Sequence, residues 1–273
     1  MNQQLEEISR VMRQTHGRDI SPYDESFLVK SVDKRLAATE IKTAAAYSEV
    51  LSENSAEADA FFRSLHITYS EFFRNPLTFA LLEQLVLPSL IAEKEKAGRA
   101  EIRIWSTACA AGQEAYSIAI LLDELAVAFR IFATDISETD LLLAKKGVFD
   151  CGAVQNVRLK HIRKYFAEKG ETYTIISALG DRIDFSAYDL LDESSVCPPA
   201  SIYGDLDLVV CSNLLFYYRP DIRHFILNKL YHSLAPNGYL VTGEAEREIV
   251  AKIAGFRAVA PPGAVFKKTE RRR

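Results

Sequence analysis

From residue 102 onward, short apolar segments alternate with amphipathic ones, and this alternation restricts the fold more than any other property of the chain. "IRIW" reads as a strand, "EAYSIAILLDELA" as a helix, "FRIFATD" as a second strand and "ETDLLLAKKGVF" as a second helix. Farther on, "DLDLVVCSN" reads as a buried strand, "DIRHFILNKLYHSL" as an amphipathic helix and "PNGYLVTGE" as a turn entering another strand. "GFRAVAPPGAVFKK" reads as two strands joined by a Pro-Pro-Gly turn. Apolar strands separated by helices must be covered on both faces. The alternation therefore predicts a doubly wound, mostly parallel sheet, with a terminal hairpin adding an antiparallel strand.

Before residue 102 the pattern is helical. "DESFLVKSVDKRLAA" places Phe27, Leu28, Val32 and Leu36 on one face, and "AAAYSEVLSEN" and "AEADAFFRSL" follow with similar periodicity. The sequence predicts an all-α domain over 1–66 and an α/β domain over 67–273, joined by a linker at 67–76, "ITYSEFFRNP". Pro76 can open the next helix at its first position, and Pro88 is expected to kink it. The region 150–200 is the least regular. "RLKHIRKYFAEKG" looks helical and "TYTIISALGDRIDFSAYDL" alternates enough for two strands, which suggests a small β-hairpin subdomain over about 150–185.

Composition excludes several classes. A net charge of −4 gives nucleic acid no broad basic surface. No stretch reads as an apolar run of roughly 18–20 residues, and the polar start "MNQQLEEISRVMRQ" lacks a signal-peptide core, so a cytoplasmic protein with no membrane insertion is expected. The four cysteines have no C-x-x-C spacing and the five histidines are scattered singly, so no metal site is expected. Arg271, Arg272 and Arg273 read as a solvated tail. Nothing demands more than a monomer.

The loop "WSTACAAGQEAYSIA" at 105–119 follows the first strand, where α/β sheets bind ligands. A dinucleotide or nucleoside triphosphate would place phosphates on the free N–H groups of the helix start. This loop lacks G-x-G-x-x-G and G-K-[ST], and Glu114 in the first helical turn would repel phosphate. A ligand with no phosphate and cationic character fits better, and S-adenosylmethionine has a sulfonium and an ammonium. Asp135, ending the second strand in "ATDIS", can accept hydrogen bonds from ribose hydroxyls. The simpler alternatives are that Glu114 only complements the helix dipole and that Asp135 caps the next helix.

In "ITYSEFFRNP", "IWSTACAAGQEAYSIAILL", "FATDIS", "AKKGVF", "YFAEKG", "DFSAYDLL", "VVCSNLLFYY" and "LAPNGYLVTGEAE" the chain resembles the CheR-type chemotaxis receptor glutamate methyltransferases. The resemblance runs from about Phe27 to Phe266. It implies an N-terminal helical domain, an S-adenosylmethionine-binding α/β domain and a small β-subdomain. It also implies methyl transfer to glutamate side chains in the cytoplasmic domain of a chemotaxis receptor. Cofactor contacts then fall on Thr68, Ser70, Arg74, Ala108, Glu114, Asp135, Asp189, Leu190, Ser212 and Asn213, and the reacting centre on Arg74 and Tyr217. Four positions depart from the family pattern. Gln113 and Ala115 stand for the usual Glu and Pro, Thr68 for Asn, and Ser212 for an arginine. The N-terminal domain is also less basic than usual, with Lys30, Lys34 and Arg35 remaining. These departures leave open a methyltransferase for another carboxylate or protein, and a non-catalytic module that binds S-adenosylmethionine or S-adenosylhomocysteine.

Overall fold

The computed structural model describes residues 3–98, 101–201 and 204–270. The tail Arg271–Arg273 lies outside the described residues. The chain divides into two compact units, Met1–Ile67 with Phe216–Arg223, and Thr68–Leu215 with His224–Arg273.

The first unit is built from α1 (Gln3–His16), α2 (Glu25–Thr39), α3 (Ala44–Glu53) and α4 (Ser55–Ser64). The segment of α1 is polar enough to hide its pattern. Leu5, Ile8 and Met12 are nevertheless buried along one stripe, while Glu6, Glu7, Arg10 and Arg13 are not. Side-chain caps start the other helices: Asp24 accepts from Ser26 N, Thr43 from Ala46 N and Asn54 from Glu57 N. Leu28 and Val32 of α2 are buried as the periodicity requires, with Phe27 and Leu36 packed at the margin. Arg35 forms a two-bond pair with Glu57, its Nε 2.9 Å from Oε1, and the Tyr47 hydroxyl donates to the same carboxylate at 2.7 Å. Arg35 is thereby a structural ion pair, which leaves Lys30 and Lys34 as the exposed basic groups of α2.

The second unit opens with a continuous helical stretch, α5 (Pro76–Leu81), a π-turn (Leu82–Val86) and α6 (Leu87–Lys96). The π-turn lies just before Pro88. Proline has no N–H to give to the carbonyl four residues back, and the preceding turn relaxes to i→i−5 spacing, with Leu87 N bonded to Leu82 O. This stretch corrects one expectation. Pro76–Lys96 is long and apolar enough by length and composition to cross a membrane. Its Leu82, Val86, Leu87 and Leu90 lie in the hydrophobic core, and Lys94 pairs with Asp207 at 2.8 Å, so one face of it packs into the core while Leu77 and Leu85 stay exposed.

The strands and helices that follow are β1 (Glu101–Thr107), α7 (Gln113–Glu124), β2 (Ala128–Asp135), α8 (Glu138–Lys146) and β3 (Val148–Asp150). Next come α9 (Leu159–Tyr165), β4 (Phe166–Lys169), β5 (Thr172–Ile175), the turn α10 (Ser177–Gly180) and β6 (Ile183–Ala187). The chain ends with β7 (Leu206–Cys211), α11 (Pro220–Ser233), β8 (Leu234–Thr242), α12 (Arg247–Ala251), β9 (Phe256–Ala258) and β10 (Val265–Lys268). The main sheet has the order β6-β2-β1-β7-β8-β10-β9. Strands β6, β2, β1, β7 and β8 are parallel, and the terminal hairpin adds β10, antiparallel to both of its neighbours, and β9 at the edge.

Two expectations for 150–200 change. "RLKHIRKYFAEKG" is helical only to Tyr165, and its second half is strand β4 paired with β5. The two strands foreseen in "TYTIISALGDRIDFSAYDL" part company. β5 joins β3 and β4 in a three-stranded antiparallel sheet instead of a lone hairpin, while β6 forms one edge of the main sheet. Because β1 lies between β2 and β7, the chain leaves β1 to one side and later returns on the other. The carboxyl ends of β1 and β7 therefore border the crevice where such sheets bind ligands.

Candidate functional site

The loop after β1 is made by backbone twist. Ala108, Ala110 and Gly112 have φ of 49°, 47° and 88°, alternating with ordinary residues. Two alanines in this region carry strain of about 1–3 kcal/mol each. Such alternation turns successive N–H groups inward as an anion-binding concavity. The protein fills that place itself, since Ala110 N donates to Asp135 Oδ2 at 2.8 Å. A phosphate cradle is thus occupied by a carboxylate of the neighbouring strand. Gly112 has a second constraint, because a Cβ there would lie 3.0 Å from Ala144 Cβ and 3.2 Å from the Phe185 ring. Only glycine lets α7 start this close to α8 and β6.

Glu114 follows in the first turn of α7. It is partly accessible, and Arg74, Asn75, Thr78, Phe79, Ser212 and Asn213 share a narrow cavity with it. Its Oε1 accepts from Ser106 Oγ at 2.8 Å, and the Ser212 hydroxyl also bonds to it. Burial pushes the Glu114 carboxyl up to about 7; the two serines and the Arg74 charge pull it down, and Glu246 adds to the rise. Thr78 Oγ1, also on the cavity wall, is buried without a hydrogen-bond partner. A carboxylate costly to ionise, with hydroxyls around it and an unused polar atom nearby, suits a cation-bearing ligand without phosphate.

Asp135 is not the cap of α8. Ser137 is, accepting from Asp140 N, while Asp135 Oδ1 accepts from Ser137 N at 2.9 Å. Asp135 thus joins the β1 loop to the β2 end through both oxygens. Beyond β6, Asp189 lines a separate open depression with Ile136, Tyr188 and Asp192, and its Oδ1 accepts from Leu191 N at 2.8 Å. Leu190 beside it is buried. Tyr188 N donates to Asp135 O at 3.0 Å, so the β6 loop is tied to the β2 end.

The linker residues are unevenly placed. Thr68 and Ser70 lie on irregular backbone outside the Glu114 cavity. Arg74 reaches the cavity because the chain turns sharply around it: Phe73 and Asn75 have φ of 52° and 62°. Phe73 N donates to Ser117 Oγ at 3.0 Å, and Phe72 packs edge-on against Phe149 and Phe166. The Arg74 guanidinium lies over the Tyr69 ring, 5.2 Å from its centroid, and makes no salt bridge among the described residues. Tyr217 belongs to the first unit. Its ring lies 4.7 Å from Phe27, and its carbonyl accepts from Asp24 N at 2.8 Å.

The sequence reading passed over Glu246. This side chain has no exposure, and its carboxylate accepts from Asn213 N at 2.8 Å, Leu215 N at 2.6 Å and Gly243 N at 2.9 Å. The sequence places it just past a strand end and within "LAPNGYLVTGEAE", and Glu244 shares both signals while being exposed.

Residues 3–66 match the all-alpha domain of the CheR methyltransferases, and residues 68–257 match their SAM binding domain. The chain is 29% identical over 243 residues to a chemotaxis protein methyltransferase of Listeria innocua, covering 88% of each. It is 35% identical over 185 residues to chemotaxis protein methyltransferase 1 of Pseudomonas aeruginosa, covering 64% of each. It is also 29% identical over 230 residues to an uncharacterized 104.1 kDa protein of Rhodobacter capsulatus, covering 82% of this chain but 23% of that one. A SAM-binding domain match over most of the second unit, on a sheet whose switch point carries an acid in place of a phosphate site, places the chain in the CheR methyltransferase family.

Proposed function

We propose that the protein transfers the methyl group of S-adenosylmethionine to glutamate side-chain carboxylates in the cytoplasmic domain of a chemotaxis-type receptor, acting in the cytoplasm as a monomer. The observation that carries this reading is Glu114, a carboxylate held near neutrality beside Arg74 at the switch point of the sheet. We take 1–66 as a helical domain and 67–273 as the methyl-transfer domain.

S-adenosylmethionine supplies a methyl group activated by a sulfonium. Glu114 would hold its ammonium and Asp135 its ribose hydroxyls, with Ala108, Asp189 and Leu190 along the strand ends. Ser212, Asn213, Thr68 and Ser70 would complete the set. The acceptor, a glutamate with an ordinary pKa of about 4.3, is already ionised at neutral pH. No general base is required. The protein's work is to orient the acceptor oxygen and keep water from it. Arg74 suits the orienting task, because its planar fork matches a carboxylate.

The decisive assay uses labelled cofactor, the full chain and candidate receptor cytoplasmic domains, and scores base-labile methyl esters. Esters on receptor glutamates are expected, and Arg74→Ala should lower their formation by about 100-fold or more while cofactor affinity stays within a few-fold. Undiminished transfer would remove Arg74 from the reaction. Ser212, which stands beside Glu114 where the resemblance leads one to expect an arginine, favours a second reading, a methyltransferase for a different carboxylate. Esters formed only on other proteins would support it, and tight cofactor binding without any ester would support a non-catalytic module.

A further inference from the structure

We propose that Glu246 is a positioning residue for the methyl-donor pocket: its carboxylate ties the loop after β7 to the end of β8, which sets Ser212 and Asn213 against Glu114. The proposal rests on the reading of Glu114 as the acid that meets the donor's ammonium.

The geometry is that of a strut. Three backbone N–H groups from two chain segments converge on one side chain, at 2.6–2.9 Å. Asn213 has φ of 60°, and a Cβ at Gly243 would lie 3.0 Å from three Asn213 atoms. The two loops therefore approach as closely as backbone allows, and only a carboxylate buried between them supplies acceptors for their N–H groups. Ser212 immediately precedes this clamp, and its hydroxyl reaches Glu114. Glu246 is thereby connected to the pocket through two bonds, Glu246 to Asn213 and Ser212 to Glu114, without lining it.

The second effect is electrostatic. Around Glu114 stand Ser106 of β1, Ser212 after β7, Arg74 of the linker and Glu246 after β8. The thiols of Cys109 and Cys211 also feel its charge, and burial holds both of them protonated. Arg74 favours the ionised form of Glu114 and Glu246 opposes it. A pocket with two nearby acids and one guanidinium is short of positive charge, a deficit that an arriving ammonium removes.

Two variants separate reach from charge. Glu246→Gln keeps the length and loses the charge; Glu246→Asp keeps the charge and loses the reach. The full chain is labelled with 13C at glutamate carboxyls, Glu114 is titrated by NMR, and S-adenosylhomocysteine affinity is measured by calorimetry at pH 8. The Glu114 midpoint is expected near 7 in the parent protein, lower in Glu246→Gln and, because Ser212 is held less firmly against it, higher in Glu246→Asp. Affinity should fall about 3- to 10-fold in both variants, the effect of one or two weakened hydrogen bonds. An unmoved midpoint in Glu246→Gln overturns the electrostatic part, and parent affinity in Glu246→Asp overturns the positioning part. The underlying reading fails separately, if Glu114→Gln binds S-adenosylhomocysteine as the parent does; the titration still decides the coupling of the two acids.

Discussion

Glu114 and Glu246 stand at carboxyl ends of neighbouring parts of one sheet, yet they are held in opposite ways. Glu246 is sealed from solvent and bonded to three backbone N–H groups. Glu114 is partly open to a cavity and bonded to two serine hydroxyls. Burial is the first cause of the raised pKa in both. Backbone N–H groups are fixed donors that favour the ionised form in one geometry, whereas hydroxyls rotate and can accept as readily as donate. An acid surrounded by hydroxyls in a cavity is available to a ligand, and an acid wrapped in backbone is part of the scaffold.

Truncation should expose the contrast most strongly. Glu246→Ala leaves three buried N–H groups unpaired and should lower unfolding free energy by about 3–5 kcal/mol. Glu114→Gln should act the other way in the unliganded protein at pH 8. Its folded pKa of about 7 exceeds the ordinary 4.5, so its contribution to stability is complete below pH 4.5 and is lost as pH rises through 7. Removing the charge should therefore stabilise by roughly 1–3 kcal/mol at pH 8 and by little at pH 5. Urea denaturation at the two pH values measures both, and equal losses at the two sites would erase the distinction.

A smaller effect should appear in binding. An ammonium needs the ionised Glu114, so cofactor affinity should weaken as pH falls below 7, by up to about tenfold per pH unit. A flat profile between pH 5.5 and 8 would mean that Glu114 does not meet the cation. The smallest effect belongs to Ser212→Ala. Loss of one hydroxyl should raise the Glu114 midpoint and cost about threefold in affinity at neutral pH. An unchanged midpoint would show that Ser106 alone supports the acid.

The alternation of strand and helix after residue 102 was legible because buried parallel strands leave an apolar signature that few other structures share. Glu114 was legible as an acid where a phosphate would usually rest, and Asp135 as an acid at the end of the second strand. Asp135 also fills the concavity of the β1 loop, and that use shows only in the folded backbone. Ala167, Glu168 and Lys169 prefer helices, yet they form β4, because pairing with β5 overrides their local preference. The apolar length of Pro76–Lys96 was hidden by Pro88 and by polar residues between its leucines. Glu246 could not be told from Glu244, since burial alone separates them.

Glu114 stands as the acid proposed to meet the ligand. Calorimetry of S-adenosylhomocysteine binding to the full chain and to Glu114→Gln at pH 8 tests it most directly. A loss of about 10- to 100-fold is predicted, the worth of a charge-assisted hydrogen bond, and it should shrink as pH falls to 5.5. Equal affinity of the two proteins at pH 8 would contradict the assignment.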